Sequence, residues 1–146
     1  MKKIMMFAAL AVVPFLFSSC TSTSKEDVIY EIGVRVGSGS SMGRTDGEAY
    51  KLYQEIKNSI SIPTETWKES VVDGDSSAAD AKAIAKYSEA ETKIKATEAE
   101  LKAKVDALQD NSYLFSIEDV LYLRKTASGN VDKELKSYSV KFSNIK

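Results

Sequence analysis

Two residue types that dominate enzyme sites are scarce in this chain: its 146 residues include no histidine and one cysteine, Cys20. Without histidine, the protein cannot form a Ser-His-Asp triad, a Cys-His dyad or a histidine metal ligand. One cysteine alone excludes an intramolecular disulfide and a thiolate zinc cluster. The 20 basic and 21 acidic side chains nearly cancel, and no basic tract favours nucleic acid. We therefore expect no metal, no cofactor and no nucleic-acid partner.

The first residues have the pattern of an export signal. Lys2 and Lys3 precede an apolar run over residues 4–17, which is interrupted by Pro14. Fourteen residues are too few for a membrane-spanning helix, which needs ~20, but they suit the core of a signal peptide. Serines then lead to Cys20.

This segment resembles a bacterial lipoprotein signal peptide. Leu16, Ser18, Ser19 and Cys20 stand where the lipobox would be, although Leu16 lies one place further upstream than usual and Phe17 is bulkier than usual. The resemblance implies a signal peptide at 1–19, cleavage before Cys20, and acylation of its thiol as the anchor in a lipid bilayer.

The residues after Cys20 bear on location. Thr21 stands where inner-membrane retention usually shows aspartate, so the resemblance favours the outer membrane of the cell envelope. The triplet at 25–27 (Lys-Glu-Asp) resembles a tag on surface-exposed lipoproteins, or it ends a polar tether over residues 20–27. The periplasmic face and the cell surface both stay open.

Periodicity in the remainder predicts a single α+β domain over residues 28–146. We expect a mainly antiparallel sheet of three to four strands, with one short and one long helix packed on one face. The pattern leaves open whether residues 65–72 form a strand. The predicted strands cover 30–36, 113–123 and 138–142, with a turn at 128–130, and the predicted helices cover 47–60 and 77–109.

Capping and charge patterns support both helices. Thr45 with Glu48, and Ser77 with Asp80, match capping boxes at the two helix starts. In the long helix, Glu→Lys pairs at i,i+4 are expected on the exposed side, at 89/93, 91/95, 98/102 and 100/104.

Four glycines lie among serines in residues 37–47, which we predict to be a mobile surface loop. The spacing departs from a dinucleotide fingerprint. It also falls one residue short of a Walker A loop, with Arg44 in the lysine position. We therefore expect no nucleotide binding.

Two acidic patterns in the sequence have some features of functional sites. Asp73, Asp75 and Ser77 have the first spacings of a calcium loop, but Ala78 and Ile84 break the series, so a turn with a helix cap explains them. Glu118 and Asp119 are neighbours on a strand and should point to opposite faces, which prevents them from acting as a pair.

Three residues are candidate contacts for a ligand or partner: Trp67, Tyr50 and Arg44. Trp67 is the aromatic residue that we expect to be exposed. The other aromatics on predicted core faces should pack inside, namely Tyr30, Tyr53, Tyr87, Phe115, Tyr138 and Phe142.

The long helix is a candidate partner-binding element. At 1.5 Å per residue it would be ~50 Å long, more than a ten-residue strand of ~33 Å could underlie. Residues 77–83, rich in alanine, should therefore overhang the core and offer a small-residue surface to another protein.

Three function hypotheses remain from the sequence. The first is a lipid-anchored, non-enzymatic interaction or structural module of the cell envelope. The second is a glycan- or peptide-binding surface module that uses Trp67 and residues 37–47. The third is a small hydrolase based on carboxylates or a Ser/Lys pair.

Overall fold

A computed structural model describes residues 24–127 and 131–146. The predicted signal peptide, Cys20 and the turn at 128–130 lie outside the described residues. The fold is α+β, as predicted, with a four-stranded antiparallel sheet and two helices. The elements in chain order are β1 (Lys25–Gly43), α1 (Glu48–Ser59), β2 (Glu65–Val72), α2 (Ser77–Ala107), β3 (Tyr113–Ala127) and β4 (Val131–Ser143).

The sheet has the order β2-β1-β3-β4, and every neighbouring pair is antiparallel. Residues 65–72 therefore do form a strand, paired along the first half of β1 from Lys25 to Ile32. β1 begins inside the segment that we expected to be a tether, because β2 offers its residues a hydrogen-bonding partner. β1 and β3 are the two inner strands of the sheet, and β4 lies at the edge beyond β3.

The prediction of a loop over residues 37–47 is wrong for residues 37–43, which continue β1 to Gly43 and pair with β3. The register shifts between Val36 and Gly39, which is a β-bulge that gives β1 one extra residue opposite β3. Gly43 ends the strand with φ +138°, and a Cβ there would lie 2.2 Å from the Ser112 carbonyl oxygen. Serine and glycine favour loops locally, but pairing with β3 outweighs that preference.

Both helices pack on the same face of the sheet. The odd-numbered residues of β3 from Tyr113 to Leu123 point into the core, as strand alternation requires. α1 covers one end of this face through Leu52 and Ile56, and α2 crosses the remainder through Tyr87, Ile94 and Leu101. Among the described residues, no helix is long and apolar enough to cross a membrane.

The predicted overhang of residues 77–83 is wrong. Ala83 is fully buried and Ala79 is 9% exposed, so this part of α2 already lies on the sheet. The error came from strand length: β3 has 15 residues and extends ~50 Å at ~3.3 Å per residue, which is about the length of the 31-residue α2 at 1.5 Å per residue.

Neither predicted capping box forms. The residue before α1 is Gly47 and the residue before α2 is Ser76, and neither makes a side-chain cap. The carboxylate of Asp110 caps α1 instead, because its Oδ2 accepts the Ala49 N–H at 3.0 Å from a site 61 residues further along the chain. The helix bounds were nonetheless predicted within two residues of those observed.

The charge pairs of α2 follow the prediction in part. Lys95 pairs with Glu91 at 3.0 Å, and Lys102 pairs with Glu98 at 3.1 Å. Glu98 is buried rather than solvated, because α2 turns it toward β4. Lys104 reaches across to Glu55 of α1 at 2.6 Å instead of contacting Glu100.

Candidate functional site

A cleft of about 500 Å³ lies between the last turns of α1 and the bulged part of β1. We call it the β1 cleft. Its floor is formed by small residues of β1 and by β3, and its wall is the end of α1. The lining residues are Val34, Val36, Gly37, Ser38, Gly39, Ser40, Ser41, Tyr53, Lys57, Ile60, Ser61, Ser116, Ile117 and Asp119.

The cleft exists because the helices stop short of this part of the sheet. Val36 should face the helices by strand alternation, like Tyr30 and Ile32, yet it is 85% exposed. From residue 35 to residue 43, every residue of β1 is exposed. The small residues of this segment leave space beside Tyr53, where the Ser41 Oγ donates to the Tyr53 hydroxyl at 3.4 Å.

Asp119 is the buried acid of the β1 cleft. It is 7% exposed and lies opposite Val36 of β1 and Val140 of β4. The backbone N–H of Gly37, at the bulge, lies close enough to this carboxylate to lower its pKa. Burial raises the pKa of the Asp119 carboxyl, and the Gly37 hydrogen bond and the charge of Lys57 counteract that effect only in part.

The carboxylate of Asp119 can accept further hydrogen bonds. An ionised carboxylate can accept about four hydrogen bonds. None of the ion pairs formed by the described residues includes Asp119. Lys57, the nearby cation, is exposed and places its Nζ 5.0 Å from the centre of the Tyr53 ring. A buried anion of this kind attracts a hydrogen-bond donor that carries positive charge.

Glu118 and Asp119 point to opposite faces, as predicted. Glu118 lies on the face away from the helices, where the Ser38 Oγ donates to its Oε1 at 3.4 Å. The β1 cleft therefore contains one carboxylate rather than the facing pair that glycoside hydrolysis needs. Its other polar side chains are the Lys57 ammonium and several hydroxyls, an arrangement that suits binding.

The three candidate contact residues do not form one site. Trp67 pairs with Tyr30 across the β1–β2 ladder, and Arg44 follows the far end of β1, ~45 Å away at ~3.3 Å per residue. Arg44 is exposed, and its Nη2 contacts Asp46 Oδ2 at 3.0 Å. Tyr50 is half-buried, with its ring edge-on to Tyr113 at 4.9 Å between centroids.

The expectation that Trp67 is exposed is wrong. Its register partner Tyr30 faces the core, and cross-strand partners share a face, so Trp67 turns inward as well. The two rings stack at 5.5 Å, and Lys86 Nζ lies 4.8 Å from the centre of the indole ring system. Trp67 is thus half-buried and does not offer an open platform for a sugar.

A Ser/Lys pair does come together, at the start of α2. Lys125 Nζ lies 2.7 Å from Ser76 Oγ and 3.1 Å from Asp80 Oδ2, and the Tyr30 hydroxyl donates to Asp80 Oδ1 at 2.6 Å. A serine nucleophile needs a neutral base beside it. Here Lys125 Nζ is held in an ion pair with the Asp80 carboxylate and in a hydrogen bond to Ser76 Oγ. We interpret this group, the Asp80 cluster, as a structural link between α2 and the sheet.

Asp75, the second residue of the calcium-loop spacing, forms hydrogen bonds with the first residue of α2. Its Oδ1 accepts the Ser77 N–H at 3.1 Å and the Ser77 hydroxyl at 2.7 Å. In the described part of the chain, no group of three or more acidic, histidine or cysteine side chains is placed to hold a metal ion.

Comparison with known proteins adds no relative. No protein-family model matches the chain, and neither a curated protein nor a solved structure is significantly similar to it.

The sequence reasoning missed the β1 cleft although its signals were present. The sequence analysis predicts only that Asp119 and Glu118 face opposite sides of a strand. The alternation with Ile117 and Leu121 also shows which side, because it places Asp119 on the core face. An acid at a core position, opposite a glycine-rich segment, is the combination that identifies the site. Because residues 37–43 are predicted to be a loop, the prediction lacks the part of β1 that completes the cleft.

Proposed function

We propose that the protein is a lipid-anchored, non-enzymatic interaction module of the cell envelope, held in the outer membrane. The observation that carries this proposal is the sole cysteine, Cys20, which directly follows a fourteen-residue apolar run and two serines. Two or three acyl chains on Cys20 would anchor the chain stably, since each buried methylene contributes ~0.8 kcal/mol.

The geometry of the domain fits such an anchor. Four residues separate Cys20 from Lys25, the first residue of β1, and five residue steps span at most ~18 Å. The start of the sheet would therefore stay near the bilayer. The β1 cleft lies about ten residues further along β1, or ~33 Å, so a partner could reach it without contacting lipid.

The test is the covalent state of the native protein. Mass spectrometry should find a chain that starts at Cys20 and carries acyl mass, and the protein should fractionate with membranes. Cys20→Ser should abolish the acyl mass and the membrane association, whereas Ser22→Ala, two residues away, should leave both unchanged. A native chain that retains Met1, or starts elsewhere without lipid, would refute the proposal.

A second candidate function is a glycan- or peptide-binding module. The β1 cleft, rather than Trp67, is the feature that supports it. Ligand sites are concave and combine apolar lining with a few convergent polar groups. Ile60 and Ile117 supply the apolar part, and the carboxylate of Asp119 with the neighbouring hydroxyls supplies the polar part. The hydrolase hypothesis has less support, because the acid in the cleft lacks a facing partner and Lys125 is ion-paired.

A further inference from the structure

We propose that the β1 cleft binds an extended peptide segment of another protein, which adds to the free edge of β1 and places a lysine or arginine side chain on Asp119. This inference rests on the proposed interaction function and names the chemistry of the partner.

The first support is the edge of β1. β2 pairs with β1 only up to Ile32, so from Gly33 to Gly43 the outer edge of β1 has no strand beside it among the described residues. An exposed strand edge carries unpaired N–H and C=O groups that can hydrogen-bond to another chain. Peptide recognition by strand addition uses such an edge for affinity and adjacent pockets for side-chain specificity.

The second support is the charge at the cleft. Asp119 is only 7% exposed, yet its side chain borders the cleft and forms none of the ion pairs among the described residues. An ammonium or guanidinium group would supply both the missing charge and further hydrogen bonds. A carboxylate or phosphate of a ligand would instead be repelled there.

The third support is the distance between an added strand and Asp119. A strand added beside β1 would lie two strand spacings from β3, ~10 Å, which the extended side chains of a lysine and of Asp119 together can span. Asp119 itself pairs with Val36, but Ile117, the next inward-facing residue of β3, pairs with Gly39, so β1 has no side chain on the cleft side two residues from Asp119. A Cβ on Gly39 would lie 2.8 Å from the Ser116 carbonyl oxygen, so this position cannot readily hold a larger residue.

Two other occupants fit less well. The segment that would remain between Cys20 and Ser24 after processing spans ~18 Å at most, but the free edge starts about eight residues along β1, or ~26 Å from Lys25. A second copy pairing through the same edge would present Val34 and Val36 on the cleft side, and neither carries the charge that Asp119 needs.

The test measures peptide binding by the full processed protein in detergent micelles. The probe is an acetylated and amidated peptide of alternating threonine and valine with one central lysine, and the matched control peptide carries norleucine there. We expect the lysine peptide to bind at least tenfold more tightly. Asp119→Asn should remove that preference while leaving the weak binding of the norleucine peptide within twofold.

Two further arms separate charge from strand pairing. Lys57→Met removes a cation that competes for Asp119, so it should strengthen binding of the lysine peptide, whereas Lys51→Met, on the same helix and outside the cleft, should not. A lysine peptide N-methylated at alternate amides should lose binding, because its edge can no longer pair with β1.

Equal binding of the two peptides, unchanged binding by Asp119→Asn, or no binding at millimolar peptide would overturn the inference. Circular dichroism of Asp119→Asn checks that the fold is intact. Burial raises the pKa of Asp119, which shows that the folded protein disfavours the charged form. The Asp119→Asn protein, with a neutral amide there, should therefore be at least as stable as the native protein at neutral pH. If the native chain carries no acyl mass and still binds the lysine peptide, the anchor is refuted and this inference stands.

Discussion

Replacing Asp80 with asparagine tests whether the Asp80 cluster joins α2 to the sheet. The carboxylate accepts hydrogen bonds from the Tyr30 hydroxyl at 2.6 Å, Lys125 Nζ at 3.1 Å and Ser76 Oγ at 3.3 Å. Asparagine keeps the size and one acceptor oxygen but removes the charge. Lys125, whose side chain is 16% exposed, would then lack its counter-ion.

The expected loss follows from burial. Breaking a fully buried ion pair by removing one partner costs ~3–5 kcal/mol. The Asp80 side chain is 27% exposed, so solvent screens part of the effect, and the remaining amide oxygen still accepts from Tyr30. We expect Asp80→Asn to lower the free energy of unfolding by ~2 kcal/mol, which for a domain of this size is a fall in Tm of ~8 °C.

Urea titration with thermal unfolding measures this change, and Lys82→Met is the matched control on the same helix. Lys82 pairs with Glu69 at 3.2 Å, but its side chain is 68% exposed, so its loss should cost less than ~0.5 kcal/mol. If Asp80→Asn and Lys82→Met had the same stability, the structural interpretation of the Asp80 cluster would be refuted.

The effect of Asp80→Asn should also depend on pH. Burial raises the pKa of Asp80, but the hydrogen bonds from Tyr30, Lys125 and Ser76 together outweigh it and leave the pKa below its usual value. Its contribution to stability is therefore fully present above the unfolded pKa of ~3.9 and is lost as the pH falls through the lower folded value. The difference between the native protein and Asp80→Asn should be constant near neutral pH and shrink below about pH 4.

Three further changes test other parts of the packing. Tyr87→Phe should leave the urea midpoint unchanged or raise it, because the buried Tyr87 hydroxyl has no hydrogen-bond partner among the described residues. A loss above ~1 kcal/mol would show that the hydroxyl is satisfied in solution. Tyr138→Phe should lower stability by ~1–2 kcal/mol, since the hydroxyl donates to Glu98 at 2.5 Å. That hydrogen bond raises the pKa of Tyr138 to about 12, so spectrophotometric titration should lose a late-ionising tyrosine. Asp110→Ala should speed hydrogen exchange at the Ala49 amide more than at the middle of α1, and uniform exchange along α1 would argue against the cap.

The helices and the central strand could be predicted from sequence because their signals are local. Tyr87, Ile94 and Leu101 recur at helical spacing and form the buried stripe of α2. Phe115 and Leu121 lie on the inward side of the alternating pattern of β3. Burial of these residues follows the pattern directly, since each periodicity defines one face.

The candidate site could be predicted only in fragments. Glu118 and Asp119 were assigned to opposite faces, but nothing local to Asp119 indicates that Gly37 lies beside it. Their proximity depends on the register between β1 and β3, and on a bulge that the sequence does not mark. The charge of Glu98 likewise predicted an exposed side chain, whereas its contact with Tyr138 keeps it inside.

By itself, the sequence determined the α+β class, the extents of both helices, the inward residues of β3 and the chemistries that the absence of histidine excludes. These are properties of residue type and spacing within one segment. Only the tertiary structure decided the length of β1, the order of the strands, the distant cap on α1 and the cleft at Asp119. Each of these depends on contacts between residues far apart in the chain, where cross-strand hydrogen bonds and burial outweigh local preference.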